Sequence, residues 1–283
     1  MASQAIPEEP LESPPSWVLE TNKLAAGGSA EMGLVYAIAN QKGGVGKTTT
    51  AVNLGACIAD RGEQTLMVDL DPQCNATVAI GLGREERPSS YDCLCGERSV
   101  AEAARPTSAD NLWIVPANRD LAGAAVELPT LERSEYRLRE SLGEVRERFA
   151  ATLLDCPPSL GPVTVNALTA ADRAIVPVQA EYLALEGLVQ FLDTLQTVRR
   201  RLNPALVLTG LLITMADDRT RLAKDVEAEL RDHFPELVLD VVVPRSVRLA
   251  EAPSHAIPVT EHAPSSQGAL AYRELAAEVL ARG

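Results

Sequence analysis

A short apolar strand that runs through a glycine loop straight into a helix limits this chain more than any other feature. It occupies Leu34 to Gly62, "LVYAIANQKGGVGKTTTAVNLGACIADRG". "LVYAIA" shows no polar alternation, so both of its faces must be buried, as in the interior of a parallel sheet. The segment after the loop has helical spacing and stops at Gly62, a residue suited to a helix C-terminus. Further apolar runs follow in the same rhythm: "QTLMVDLD", "NLWIVPA", "ATLLDCPP", "RAIVPV" and "LVLTGLLITM". Helical segments separate them, among them Leu185 to Leu202 and Leu222 to His233, and a last helix is predicted from about Ser266 to Ala281. Continuous apolar strands alternating with helices predict an α/β fold, a doubly wound and mostly parallel sheet with helices on both faces. Ligands of such sheets sit at the carboxyl ends of the strands.

The loop itself carries chemistry. Against the phosphate-loop pattern G-x-x-x-x-G-K-[ST], Gly46, Lys47 and Thr48 fit, but the first glycine falls on Gln41. A second lysine, Lys42, stands one position later. From Lys42 through Gly43, Gly44, Val45, Gly46, Lys47 and Thr48 to Thr49, the context is that of a phosphate cradle. Glycines let the main chain bend and aim N–H groups inward, and the helix N-terminus adds partial positive charge. Lys47 is expected to reach the β- and γ-phosphates, and the Thr48 hydroxyl to bind magnesium. The chain has only four lysines, Lys23, Lys42, Lys47 and Lys224, so two in one loop of an arginine-rich sequence point to a need for a compact ammonium. Two carboxylate motifs end later strands: "VDLDPQCNAT" with Asp69 and Asp71, and "LLDCPPS" with Asp155. A carboxylate can hold a magnesium shell or orient an attacking water; the plainer reading of each is a turn cap.

Composition sets bounds. The net charge of -13 and the small aromatic share, 4%, argue against a chain coated with nucleic acid and for a core of Ala, Val and Leu. Five cysteines and no charged-then-apolar leader predict a reduced, cytoplasmic protein. Cys93 and Cys95 lack the further ligands that a metal site needs. Residues 1–31, rich in Pro, Glu, Ser and Gly, read as a disordered tail, with Met32 an alternative start and 32–283 a single domain.

The stretches "ANQKGGVGKTTTAVNLG", "VDLDPQCNAT", "LLDCPPSLGPVTVNAL", "VPVQAEYLALEGL", "LLITMADDRTRL" and "VPRSVRLAEAPS" resemble the ParA/Soj family of chromosome and plasmid partitioning ATPases. These belong to the deviant Walker A group of P-loop NTPases. The resemblance covers everything but the tail. It implies ATP and Mg2+ as ligands, an ATP-dependent homodimer, and Lys42 as the signature lysine that reaches the partner's nucleotide. It implies further that Gly43 lies where two backbones approach closely and that Asp71 orients the water. Thr48, Asp71 and Asp155 would form the magnesium site, the carboxylates through water. Met215, Pro244 and Ser246 stand at adenine-contacting positions.

The family binds double-stranded DNA without sequence preference and responds to a ParB-like centromere-binding protein, which implies association with the nucleoid. Arg219 and Arg248 match the arginines through which relatives hold DNA, and Arg221, Lys224 and Arg245 lie beside them. The alternative is that such arginines face solvent and pair with neighbouring acids. Three positions depart from the family. Cys74 stands where it usually has glycine, and Ala256 and Ile257 replace a glycine and a basic residue. His255 and His262 have no ligand-like partners and read as surface residues, and Cys156 reads as a small buried residue. The competing reading is a MinD-like ATPase that positions the division site on a membrane. That role needs a basic amphipathic C-terminal helix. Here Arg273 and Arg282 are balanced by Glu274 and Glu278, and Leu270, Leu275, Val279 and Leu280 are expected to pack in the core. An iron-sulfur reductase would need a cysteine arrangement that these five do not match.

Overall fold

The computed structural model describes residues 33–96, 98–181, 184–217 and 219–282, with the predicted tail and Met32 outside the described residues. The strands are β1 Leu34–Ile38, β2 Thr65–Asp69, β3 Arg105–Pro106, β4 Leu112–Val115, β5 Ala151–Asp155, β6 Arg173–Gln179 and β7 Val207–Thr214. Among the described residues they form one seven-stranded sheet in the order β3-β4-β2-β5-β1-β6-β7. Every pairing is parallel except the short β3 edge against β4. The predicted fold class is what the chain adopts.

Helices fill the connections: α1 Lys47–Ala59, α2 Asn75–Ala79, α3 Ser90–Cys95, α4 Val100–Ala103, α5 Leu121–Glu127, α6 Arg137–Gly143 and α7 Pro162–Ala170. They continue as α8 Ala184–Arg201, α9 Arg221–His233, α10 Val247–Glu251, α11 Val259–His262 and α12 Gln267–Ala281. The period-two alternation of a strand sends neighbours to opposite faces, and the core divides accordingly. Val35, Ala37, Leu66, Val68 and Val176 join one cluster with residues of α3, α7, α8 and α9. Tyr36, Ile38, Met67, Leu153 and Ile175 join the other, with α1, α2 and α12. Each fully buried Leu or Ile side chain contributes about 1.5–3 kcal/mol.

The C-terminal helix corrects an expectation. Leu275 and Val279 are buried, but Leu270 and Leu280 are exposed. At 3.6 residues per turn, positions five apart diverge by about 140°, so Leu270 and Leu280 cannot share the inward face with Leu275. Polar links also hold this end of the chain to α1. The Tyr272 and Thr50 hydroxyls lie 3.2 Å apart, and Asn53 Oδ1 accepts the Val259 N–H at 2.8 Å.

Candidate functional site: a phosphate loop facing three carboxylates

The register places the site. Ile38 pairs with Asp155, and Asp155 with Asp69, so the loops that follow β1, β2 and β5 leave one edge of the sheet side by side. The loop after β1 is held from below. Asn40 donates to the Pro177 carbonyl at 2.8 Å and accepts the Lys42 N–H at 3.0 Å, and the Thr214 hydroxyl donates to the Val45 carbonyl at 2.8 Å. Gly44 and Gly46 have φ of 75° and 89°, left-handed values that favour glycine, which is why the chain can turn there and start α1 at Lys47.

The two lysines of the loop part company. Lys47 is 6% exposed, and its Nζ donates to the Lys42 carbonyl at 2.9 Å, inside its own loop. Burial lowers its pKa, an effect opposed by Asp155, Cys156 and Asp71. The Lys42 side chain is 31% exposed, and its Nζ lies 3.8 Å from Glu181 Oε2, away from the loop's interior.

The carboxylates carry the tension of the site. Asp155 is 1% exposed, and among the described residues neither of its oxygens receives a well-formed hydrogen bond. Burial raises its pKa well above the carboxylate range, and Asp69 and Asp71 push it further; the Thr48 hydroxyl and Lys47 act in the opposite direction. Burial likewise lifts Asp69 to about 6, against the hydrogen bonds from Thr77 and Asp71. Buried carboxylates crowded together favour either a proton or a cation. An orphaned carboxylate beside a threonine hydroxyl at the start of a helix offers the hard oxygen donors that Mg2+ takes, so Thr48, Asp71 and Asp155 fit that ion. Cys156, fully buried with its thiol pKa pushed up, is no nucleophile.

Met215 lies beside the loop with Pro244 next to it in the fold, and Ser246 stands at the N-cap of α10. Ala216 and Pro244 form a bridge, and a side-chain carbon placed on Gly46 would lie 3.8 Å from Met215 Cε. Met215 adopts φ 53°, the left-handed region uncommon for a side-chain-bearing residue. Such outliers cluster at ligand clamps.

The basic positions are exposed but paired. Arg219 bonds Asp217, Arg221 lies 3.8 Å from Asp225, Arg245 lies 3.9 Å from Glu181, and Arg248 bonds Glu251 at 2.8 Å. Lys224 follows on the same helix as Arg221, one turn along. His262 is only 14% exposed and sits 3.6 Å from the Glu251 carboxylate, with His255 stacked on it at 4.5 Å; His255 is exposed as expected, whereas His262 is largely covered. Both family-glycine positions prove to be left-handed: Cys74 has φ 56° and Ala256 φ 61°. Among the described residues no cluster of His, Cys, Asp or Glu could hold a metal through three such ligands, and no helix is long and apolar enough to cross a membrane.

Sequence reasoning gave no role to Asp69, Thr77 or Glu181. The D-x-D spacing at a strand end was the available signal for Asp69. Nothing local marks Glu181 as the common neighbour of Lys42 and Arg245.

The chain is similar to known proteins over most of its length. A family model described as an AAA domain matches residues 33–208. The sporulation initiation inhibitor protein Soj of Bacillus subtilis is 48% identical over 89% of this chain and 100% of its own. The chromosome-partitioning ATPase Soj of Thermus thermophilus is 54% identical over 87% of this chain and 95% of its own. Among solved structures, a cobyrinic acid a,c-diamide synthase of Mycobacterium smegmatis with bound ADP and magnesium is 40% identical, with a TM-score of 0.77 over 87% of this chain and 93% of that one. With the deviant loop, both carboxylate motifs and relatives of this identity over nearly its whole described length, the chain belongs to the ParA/Soj family of chromosome-partitioning ATPases.

Proposed function

We propose that the protein is an ATP-hydrolysing DNA-partitioning switch. ATP with Mg2+ closes two copies into a dimer, the dimer holds DNA without sequence preference, and a ParB-like partner stimulates hydrolysis and release. The observation that carries this reading is the division of labour between the two lysines. Lys47 is buried within its own loop, where it can turn from the Lys42 carbonyl to a bound phosphate. Lys42 stands partly exposed at the rim beside Glu181, from which it can turn to a nucleotide held by a second copy. A cation placed there attracts only while phosphate is present, so the γ-phosphate becomes part of the interface.

The residues take the following parts. The N–H groups from Gly43 to Thr49 cradle the phosphates, and Met215, Pro244 and Ser246 flank the base. Thr48, Asp155 and, through water, Asp71 would hold the magnesium ion, which supplies charge neutralisation on the phosphates when bound. Asp71 orients the attacking water. Two basic patches of Arg219, Arg221, Lys224, Arg245 and Arg248 joined in one dimer bind DNA more tightly than one patch alone. The protein would then work in the cytoplasm on the nucleoid. The division-site reading on a membrane has less support: the basic residues gather on and just before α9 and α10, while α12 turns Leu275 and Val279 into the core and leaves Leu270 and Leu280 exposed beside Glu274, which a basic membrane helix would not carry.

Light scattering of the full chain with Mg2+ tests the reading. ATP should double the mass and ADP should not, and Lys42→Ala should retain ATP binding while remaining monomeric. A monomer under every nucleotide would refute it.

A further inference from the structure

Two buried side chains at the site have no part in the roles above. Asp69 closes β2 and is fully buried. Its Oδ1 accepts the Asp71 N–H at 3.1 Å; its Oδ2 accepts both the N–H and the hydroxyl of Thr77, at 2.8 and 2.7 Å. The Thr77 oxygen in turn accepts the Ala117 N–H at 2.9 Å, just past the end of β4. Three of the roughly four acceptor positions on the Asp69 carboxylate are therefore filled by the protein, which makes it a poor choice for a metal ligand.

The effect is to close a loop. Asp71 and Thr77, the two ends of the segment between β2 and the middle of α2, are fastened to the same carboxylate, and β4 braces the second end through Ala117. Helix α2 needs this support because its N-cap is Cys74, whose side chain makes no capping bond; its Sγ turns to the Pro72 carbonyl at 3.4 Å instead. Asp71 uses its Oδ1 to accept the Gln73 N–H at 2.8 Å, so its carboxylate orientation depends on where this loop is held.

We propose that Asp69 and Thr77 are positioning residues for hydrolysis, a carboxylate and hydroxyl pair that fixes the segment carrying Asp71 against the end of β4. The inference rests on the assignment of Asp71 to the attacking water. Removing the Thr77 hydroxyl leaves the Ala117 N–H without its acceptor and releases one of two ties on α2, while the cradle that binds ATP is untouched.

Steady-state ATP turnover of the full chain on DNA, with ATP affinity measured alongside by a fluorescent analogue, tests this. Thr77→Val, which keeps the shape, should lower kcat by about 10- to 100-fold, the scale of a misplaced catalytic group. Its affinity for ATP should stay within about threefold, and Thr77→Ser should restore turnover to within about threefold. Asp69→Asn should behave as Thr77→Val does. If Thr77→Val does not fold, Thr77→Ala serves in its place. Unchanged kcat in these variants overturns the inference, as does joint loss of ATP binding and turnover that serine fails to rescue. Should the unaltered chain not hydrolyse ATP at all, the functional reading falls and the inference with it. Should Asp71→Ala stop turnover while Thr77→Val does not, only the positioning role falls.

Discussion

Arg219 grips Asp217 with both arms of its guanidinium, Nε to Oδ1 and Nη2 to Oδ2, each at 2.8 Å, and its N–H returns to Oδ1 at 3.1 Å. DNA that uses Arg219 must therefore displace a carboxylate held in bidentate geometry. Under the proposed function, the carboxylate would set part of the threshold for DNA attachment. Asp217→Asn should tighten DNA binding by about 2- to 5-fold per subunit, the range of an exposed ion pair, and Arg219→Gln should weaken it; a filter-retention titration at fixed salt reads both.

The same pair predicts a flat pH response. The hydrogen bonds from Arg219 hold the Asp217 pKa down to about 2. A depressed carboxylate pKa keeps its contribution above the unfolded value of about 3.9 and loses it only as pH falls through the folded one. From about pH 5 to 9, the protonation of Asp217 should leave DNA binding unchanged. A titration step in that window that disappears in Asp217→Asn would contradict the assignment.

Gly43 separates fold from assembly. Among the described residues, a side-chain carbon built there would meet only Pro158 Cβ, at an ordinary 3.9 Å. Gly43→Val should therefore fold with a melting temperature within about 2 °C of the unaltered chain, a surface-type change. It should nonetheless fail to form the ATP dimer, where a second backbone would occupy that space. Calorimetry and light scattering on one sample check both halves, and a dimer of normal mass would remove Gly43 from the interface.

The two left-handed replacements should respond differently to restoration of glycine. A left-handed residue with a Cβ costs about 1–2 kcal/mol, whereas glycine costs about 0.5–1 kcal/mol in chain entropy. Ala256→Gly loses only a methyl group, so a gain of about 0.5–1 kcal/mol is expected. Cys74→Gly also gives up a fully buried thiol, worth about 1 kcal/mol at the scale of one buried group, and should come out near zero. Urea midpoints of the two variants decide; destabilisation by Ala256→Gly would contradict the strain argument.

The fold was legible where local and global signals agree. Unbroken apolar strands need cover on both faces, and the segments predicted at Leu185 to Leu202, Leu222 to His233 and Ser266 to Ala281 became α8, α9 and α12 within a residue or so. The glycine loop, Asp71 and Asp155 were legible because their motifs stand at strand ends. Less was visible between α2 and β5, where α3 to α6 are short and owe their existence to tertiary packing rather than to period. Long-range polar ties were also hidden: the Asp69, Thr77 and Ala117 chain spans elements that no window of sequence brings together. The pairing of Arg219, Arg221, Arg245 and Arg248 with acids belongs to the same class. Sequence shows an abundance of acids, but geometry decides which arginine each one holds.

The most direct test of the account is DNA retention by the purified full chain at moderate salt, with Mg2+ and either ATP or ADP, for the unaltered protein and for Lys42→Ala. The account predicts retention with ATP alone, and none for Lys42→Ala under either nucleotide although it still binds ATP. Equal retention with ATP and ADP, or full retention by Lys42→Ala, would contradict a switch in which the nucleotide of one subunit is sensed by the lysine of the other.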